Sequence, residues 1–269
     1  MFGSTAIHIR TLDEIEQLRK SSLLVGETLS EVAKNIKPGV TTKYLDTIAE
    51  EFIKDNNAEP VFKGYNGYPA SLCISINEVV VHGIPGNREI KEGDIISIDC
   101  GTFLNGWVGD SAYTFAVVGV SEEAKKLMKV TKESLYLGIE KCVIGNRIGD
   151  LSHKIQSYCE DYGYGVVREL CGHGVGRKMH EEPEVPNFGK AGTGIKFKEG
   201  MVIAIEPMIT MHKKEVVFER DGWTCRTKDM SWAAHYEHDV AITKNDPYIL
   251  SSFEKIEETI KQNNNLVIV

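Results

Sequence analysis

The spacing of apolar residues changes several times along the chain and predicts an alternation of helical and strand-rich segments. Residues 11–36 repeat apolar side chains at helical spacing behind a capping box formed by Thr11 and Glu14. Residues 41–57 show a second amphipathic helical pattern, with a threonine cap and an Asn-Asn end. Between about residues 61 and 118 the pattern changes to short strands separated by glycine and asparagine turns.

The second half of the chain repeats this order. Residues 121–142 and 149–163 return to helical spacing, and strands with glycine-rich loops resume from Val166. This order predicts an internal duplication in which helices cover a largely antiparallel sheet. No linker rich in proline and serine separates the halves, so we predict one α+β domain over residues 1–269. From about residue 250 onward we expect a peripheral tail, with a short helix, a loose end and no assigned function.

A β-hairpin is predicted at Asn105-Gly106, because both residues accept the positive φ angles of a two-residue turn. Folding the chain there pairs Asp99 with Ala112 and places Asp110 two residues away on the same face. The two carboxylates become diagonal neighbours, with about 7–8 Å between their backbones, and could share one cation. The pair alone leaves an alternative open, namely two solvated or loop-capping aspartates, because a bulge would shift the register.

Three further polar residues interrupt or follow apolar strand patterns. His173 lies between glycines, Glu206 ends the run VIAI, and Glu237 precedes the run DVAI. Taken singly, each has an ordinary explanation as a loop histidine, a strand-end charge or a solvated strand residue. Together with Asp99 and Asp110 they form a set of four carboxylates and one imidazole, which would repel itself if buried without cations. Such ligands suit Mn, Fe, Co or Zn, and two ions about 3.5–4 Å apart would perform hydrolysis.

Composition and charge restrict the classes of protein to which the chain can belong. The 269 residues are 42% hydrophobic and 26% charged, which is typical of a globular protein. The net charge of -8 argues against nucleic acid as an electrostatic partner. The six cysteines show no C-x-x-C spacing, so neither a disulfide framework nor a cysteine-ligated zinc site is expected. The chain has no membrane-spanning apolar run or signal-peptide core, so we expect a cytoplasmic protein with no membrane partner.

Five spaced segments closely resemble the type I methionine aminopeptidases, namely VVHGIPG, IDCGTFLNGWVGDSAYTF, CGHGVGRKMHEEP, AIEPM and YEHDVAIT. The resemblance runs from about Thr11 to Leu250. It implies the pseudo-symmetric pita-bread fold of the creatinases and aminopeptidases, an α+β arrangement with an antiparallel sheet covered by helices. It also implies co-translational removal of the initiator methionine from polypeptides with a small second residue, by two-metal hydrolysis with a bridging hydroxide.

The resemblance implies a set of metal ligands at the matching positions of this chain. Asp110 and Glu237 would bridge two divalent ions (Co, Mn, Fe or Zn). His173 and Glu206 would complete the shell of one ion and Asp99 that of the other.

The resemblance also implies three catalytic residues. His82 matches the family histidine beside the scissile amide. His180 matches the histidine that binds the substrate carbonyl and stabilises the oxyanion. Glu206 matches the group that takes a proton from the bridging water and passes it on.

A substrate pocket is implied in the same way, and its sulfur and aromatic side chains suit a thioether. The matching positions are Phe62, Tyr65, Tyr68, Cys73, His82, Met179, His180 and Trp223. Two positions depart from the family pattern. Met179 replaces the phenylalanine of many relatives, which leaves fine selectivity open, and Ala233 replaces a serine near a structural monovalent cation. The backbone carbonyls of Asn77 and Val79 remain candidates for binding that cation.

Three other functions are compatible with parts of this pattern. A proline-directed metallopeptidase of this fold usually carries an extra N-terminal domain, for which we expect no space before residue 61. A non-catalytic binding protein built on the fold typically lacks ligands, whereas all five are present here. A metal-storage or structural role would leave the paired histidines and the aromatic pocket unexplained.

The resemblance also implies the type of enzyme and its partners. The 32 residues between His173 and Glu206 leave no space for the helical insertion of the type II enzymes. We therefore expect a bacterial-type or organelle-type monomer that acts on nascent polypeptide N-termini. The ribosome is a further candidate partner.

Overall fold

The computed structural model describes residues 6–269. Residues 1–5, the start of the segment predicted to lack a signal-peptide core, lie outside the described residues. Across the described range the α-helices are α1 (Leu12–Asn35), α2 (Thr42–Asp55), α3 (Glu122–Ile139), α4 (Ile148–Asp161) and α5 (Glu254–Gln262). Within residues 6–269, no helix combines the length and the apolar character that crossing a bilayer requires.

The strands fall into two groups separated by α3 and α4. The first group is β1 (Glu59–Pro60), β2 (Leu72–Ile76), β3 (Val79–Val81), β4 (Ile95–Leu104) and β5 (Trp107–Val117). The second group is β6 (Gly165–Val166), β7 (Gly172–Gly174), β8 (Glu181–Val185), β9 (Val202–Ile205), β10 (Met208–Thr210), β11 (Val216–Phe218), β12 (Cys225–Thr227), β13 (Ala233–His235), β14 (His238–Ile242), β15 (Pro247–Ile249) and β16 (Leu266–Val267).

The strands pair in four sheets, and the pairings between them are antiparallel. One five-stranded sheet has the order β1-β4-β5-β16, with β2 also paired to β4, and the other has the order β15-β14-β9-β7-β8. The three-stranded sheets are β13-β10-β6 and β11-β12-β3. The first half of the chain thus supplies α1 and α2, the second half supplies α3, α4 and α5, and each large sheet takes most of its strands from one half. The predicted α+β class with an antiparallel sheet is confirmed.

Helix α1 begins where the sequence predicts a capping box. The Thr11 hydroxyl accepts a hydrogen bond from the Glu14 amide at 3.3 Å, and the Glu14 carboxylate accepts one from the Thr11 amide at 3.0 Å. The buried face of α1 includes Leu18, Val25 and Leu29, and it packs against β4, β5 and α5. The core therefore lies between the first helices and the sheet that carries the Asp99–Asp110 hairpin.

The predicted hairpin has the predicted register. Asn105 and Gly106 have φ angles of 52° and 83°, which is the left-handed conformation that the turn requires. Asp99 pairs with Ala112, and Asp110 pairs with Gly101 on the neighbouring strand. The register therefore brings Asp99 and Asp110 to one face of β4 and β5, as the diagonal arrangement requires.

The end of the chain departs from the prediction of a loose end. Helix α5 forms as expected, but Leu266 and Val267 then pair with Val117 and Ala116 as strand β16. The Asn263 side-chain amide also donates to the carbonyl of Ala33 at 2.8 Å. The prediction was wrong because the free edge of β5, which no local pattern in the tail reveals, offers backbone groups for pairing.

Replacing Ile256 with alanine is expected to reduce the free energy of unfolding by about 2–5 kcal/mol, because it leaves a cavity under α5. Ile256 is fully buried in the main core cluster, on the helix that packs against α1. Urea unfolding followed by circular dichroism measures the loss. Lys261→Ala, at an exposed position of the same helix, serves as the control. Equal stabilities of the two variants would show that α5 is not part of the cooperative fold.

Candidate active site

A cavity of about 220 Å³ brings the sequence-predicted residues together. All thirteen line it, and Asn66 is the one further lining residue. The lining is formed by Phe62, Tyr65, Asn66, Tyr68, Cys73, His82, Asp99, Asp110, His173, Met179, His180, Glu206, Trp223 and Glu237. Carboxylates and aromatic side chains thus share one cavity, which can hold both a reacting group and a side chain beside it.

The five predicted metal ligands come from both halves of the fold. Asp99 lies on β4 and Asp110 on β5, whereas His173 lies on β7. Glu206 follows the end of β9, and Glu237 lies between β13 and β14. The Glu237 amide donates to the carbonyl of Ala112 at 2.9 Å, which ties the second-half ligand to the hairpin.

Three of these residues already present ligand atoms to one another. Asp110, His173 and Glu237 are buried and each offers an atom within 4.8 Å of the other two. The Nε2 atom of His173 lies 3.9 Å from Asp110 Oδ2 and 3.7 Å from Glu206 Oε1. Asp99 lines the same cavity, two residues from the position that pairs with Asp110 on the neighbouring strand. The cluster is compact enough to enclose metal ions.

Electrostatics in the cluster favour bound cations. Burial raises the pKa of Asp99 to about 7, and burial together with neighbouring carboxylates raises the pKa values of Asp110, Glu206 and Glu237 well above their usual range. The atoms Asp99 Oδ1, Asp110 Oδ1 and Glu237 Oε1 are buried without a hydrogen-bond partner. Buried oxygens without partners are costly, and divalent ions would both neutralise and ligate them. The residues therefore fit a divalent metal centre.

The hydrogen bonding and the pKa of His173 suit a neutral metal ligand. Its Nδ1 lies 2.9 Å from the carbonyl oxygen of Gly174. Because a carbonyl only accepts, Nδ1 carries the proton and Nε2 faces the carboxylates with a lone pair. Burial lowers the pKa of His173 to about 3, so the ring is neutral at neutral pH.

Three polar residues that sequence reasoning missed hold the ligands in place. The Oδ2 atom of fully buried Asp239 accepts hydrogen bonds from the Ser22 hydroxyl at 2.7 Å and from the Asp110 amide at 2.8 Å. The Asn187 side-chain amide donates to the carbonyl of Glu206 at 2.9 Å. An acidic residue within the apolar run HDVAI is a signal that could have identified Asp239. Neither Ser22 nor Asn187 has a comparable signal.

The apolar side of the cavity is built on a rigid wall. The Tyr68 hydroxyl is within hydrogen-bond distance of the Leu72 and Gly83 carbonyls, at 3.0 and 3.1 Å. The ring of Trp223 packs edge-on against Tyr68 at a centroid distance of 5.0 Å. Cys73, like Phe62 and Met179 farther along the wall, is almost fully buried. The side chains at this wall are apolar or aromatic and suit a flexible thioether.

His82 lines the cavity, and its backbone is strained. Its φ angle of 58° lies in the left-handed region, which is unusual for a residue other than glycine. At Gly83, a Cβ atom would lie 2.2 Å from the Ile74 carbonyl oxygen, so only glycine fits behind it. Burial lowers the pKa of His82 to about 4, which keeps the imidazole neutral near pH 7.

The backbone carbonyls predicted to bind a monovalent cation lie at the start of β3 and just before it. The Asn77 carbonyl accepts a hydrogen bond from the Ala233 amide at 2.8 Å. Val79 begins β3 and pairs with Arg226. Asn77 is therefore held beside Ala233, the position that the sequence singled out.

Comparisons with known proteins agree with this geometry. Residues 16–244 match the model of metallopeptidase family M24. A methionine aminopeptidase of Clostridium acetobutylicum is 57% identical over 249 residues, which cover 92% of this chain and all of that protein. The crystal structure of methionine aminopeptidase from Rickettsia prowazekii has a TM-score of 0.91 and 40% identity, and it covers 92% of this chain and 100% of that chain.

A prolidase from Pyrococcus furiosus shares the fold. Its TM-score is 0.75 at 24% identity, and the match covers 91% of this chain but only 65% of the prolidase. The likeness confirms the predicted pita-bread architecture, which both groups of structures share.

Proposed function

The chain belongs to metallopeptidase family M24 and, within it, to the methionine aminopeptidases, and on this premise we propose that it removes the initiator methionine from nascent polypeptides with a small second residue. The observation that carries the proposal is the shared cavity. Its carboxylate cluster has buried oxygens without partners, and its wall of aromatic and sulfur side chains lines the same cavity. A methionine side chain held in that wall would place its peptide bond beside the cluster.

Two divalent ions are proposed for the cluster, chosen among Co, Mn, Fe and Zn. The ions would be held by Asp99, Asp110, His173, Glu206 and Glu237. This assignment uses each of the four buried carboxyls and the free lone pair of His173. When bound, such ions supply Lewis-acid polarisation and a water of lowered pKa.

Glu206 is proposed to hold and move the proton. Burial raises its pKa well above the usual range, so its carboxylate takes up a proton readily. Its two oxygens lie 3.7 Å from His173 Nε2 and 3.7 Å from His235 Nε2, so the carboxyl group lies between the two imidazoles. The group can therefore accept a proton from the attacking water and return it to the leaving amine.

The two histidines outside the ligand set are proposed to act on the peptide. His180 would meet the carbonyl oxygen of the scissile bond, where negative charge develops. His82, neutral and held in a strained conformation, would lie beside the scissile amide. Both line the cavity together with the ligands.

We also propose the substrates, partner, location and structural cation of the enzyme. Its substrates would be nascent polypeptide N-termini, with the ribosome as a candidate partner, and it would act in the cytoplasm as a monomer. A structural monovalent cation would bind near the backbone carbonyls of Asn77 and Val79. The support for that ion is the placement of Asn77 beside Ala233.

Replacing Met179 with alanine is expected to raise KM for Met-Ala-Ser about tenfold with little change in kcat. Met179 is almost fully buried in the pocket wall, and its truncation removes apolar contacts worth about 1–3 kcal/mol to the bound side chain. Steady-state release of methionine measures both constants. Lys178→Ala, at the exposed neighbouring position, is the control. A fall in kcat at unchanged KM would remove Met179 from the substrate pocket.

The proposed function is tested by offering three peptides to the Mn-loaded protein: Met-Ala-Ser, Met-Leu-Ser and Ala-Pro-Ser. Rapid release of methionine from Met-Ala-Ser, with little from Met-Leu-Ser and no alanine from Ala-Pro-Ser, is the expected result. Release of alanine from Ala-Pro-Ser would favour a proline-directed enzyme. No release from any peptide, with metal bound, would favour a binding protein built on the same fold.

A further inference from the structure

Two neighbouring histidines of the cavity have different hydrogen-bond partners on Nδ1. His173 faces the Gly174 carbonyl, which only accepts, so its proton lies on Nδ1. The Nδ1 atom of His180 lies 2.7 Å from the phenol oxygen of Tyr65, a group that can donate. The two imidazoles are in contact, with ring centroids 4.3 Å apart and planes at 71°. The hydrogen-bond partners therefore favour the proton on Nδ1 in His173 and on Nε2 in His180.

The direction of the Tyr65–His180 bond follows from the protonation of the phenol. Burial raises the pKa of Tyr65, so the hydroxyl keeps its proton at neutral pH. A phenol O–H is a donor and an unprotonated imidazole nitrogen is an acceptor, so Tyr65 donates in the 2.7 Å contact to His180 Nδ1. Desolvation lowers the pKa of His180, although the residue is partly exposed, so its ring is neutral and carries one proton.

We propose that Tyr65 is a positioning residue that donates a hydrogen bond to Nδ1 of His180 and thereby holds the imidazole proton on Nε2. This inference rests on the proposed function, in which His180 meets the carbonyl oxygen of the scissile bond. A carbonyl oxygen only accepts, so the nitrogen that meets it must carry the proton. Tyr65 and His180 then form a chain of donors that ends at the substrate.

The local backbone supports this arrangement. Tyr65, Asn66 and Gly67 form a single 3-10 turn, in which Asn66 has a φ angle of 46°. The turn is closed by a hydrogen bond from the Tyr68 amide to the Tyr65 carbonyl at 2.8 Å. The phenol is thus presented from a tight turn rather than from an extended loop, which fixes its approach to His180.

The placement of the proton can be read directly by ¹⁵N NMR of the histidine nitrogens. The metal-free and Zn-loaded proteins would be compared, and the His180 signals identified by their loss in His180→Asn. We expect a pyridine-type signal for Nδ1 and a pyrrole-type signal for Nε2 of His180. Tyr65→Phe, which removes only the hydroxyl, should shift both signals toward averaged values. Tyr44→Phe, at an exposed tyrosine of α2, should leave them unchanged. A pyrrole-type Nδ1 in the wild-type protein would overturn the proposal.

Kinetics separate positioning from a structural role. For Tyr65→Phe we expect kcat for Met-Ala-Ser to fall about tenfold and KM to change less than about twofold, because the ring stays in the wall. The Mn content should remain that of the wild type. An unchanged kcat, or a fall in kcat explained by lost metal, would contradict the proposal. If the wild-type protein released no methionine, the proposed function would fail, whereas the NMR result would still decide the Tyr65–His180 bond.

Discussion

Replacing Glu206 with glutamine is expected to lower turnover of Met-Ala-Ser about 10³-fold while the fold remains intact. Glutamine has nearly the same shape and keeps an oxygen for a ligand bond, but it cannot accept and return a proton. The backbone of residue 206 stays anchored through the bond from Asn187, so the position of the side chain is preserved. Methionine release, circular dichroism and metal content measure activity, fold and loading on the same samples.

Glu184→Gln provides the matched control for this substitution, because Glu184 is exposed on β8. The control is expected to keep wild-type turnover. Near-normal turnover of Glu206→Gln with bound metal would assign the proton transfer to another group. A large loss of metal would instead show that Glu206 acts mainly as a ligand.

Replacing Asp110 with asparagine is expected to weaken Mn binding at least about 100-fold and to abolish methionine release. Asp110 contributes to the most compact group of ligand atoms, with His173 and Glu237. Its amide remains bonded to Asp239, so the strand that carries it keeps its place. Titration calorimetry with Mn on the metal-free protein measures the affinity. Asp13→Asn, exposed in the first turn of α1, is the control.

The same variant has a second expected effect on stability. In the metal-free protein, burial and the neighbouring carboxylates raise the pKa of Asp110, so folding at neutral pH must either bury its charge or take up a proton, at a cost in stability. Asparagine avoids that cost, so the variant should have a higher melting temperature than the metal-free wild type. With Mn present the order should reverse, because only the wild type gains stability from binding. A lower melting temperature in both conditions would show that Asp110 is mainly a structural residue.

Sequence patterns correctly predicted the elements that depend on residues close together in the chain. The Thr11 capping box, the Asn105-Gly106 turn and the resulting Asp99–Ala112 register are confirmed, because each depends on residues close in sequence. The strand formed by Leu266 and Val267 was missed, because its partner lies some 150 residues earlier and leaves no mark in the tail.

Only part of the candidate site could be predicted from the residues without the family resemblance. The hairpin geometry indicated a shared cation for Asp99 and Asp110, whereas the pocket wall was identified only through the family resemblance. Asp239 and Asn187 escaped notice because their roles depend on which backbone amides and carbonyls tertiary folding brings to them. Asn66 was missed for the same reason, since it lines the cavity only once the chain has folded.

The central claim, that the buried carboxylate cluster is the metal centre of a methionine aminopeptidase, is tested most directly by removing and restoring the metal. The protein would be stripped with a chelator, and Mn would be added back in steps while bound metal and methionine release from Met-Ala-Ser are followed together. We predict no release from the stripped protein and recovery in step with bound Mn, with no recovery in Asp110→Asn. Full methionine release from wild-type protein that contains no detectable metal would contradict the account.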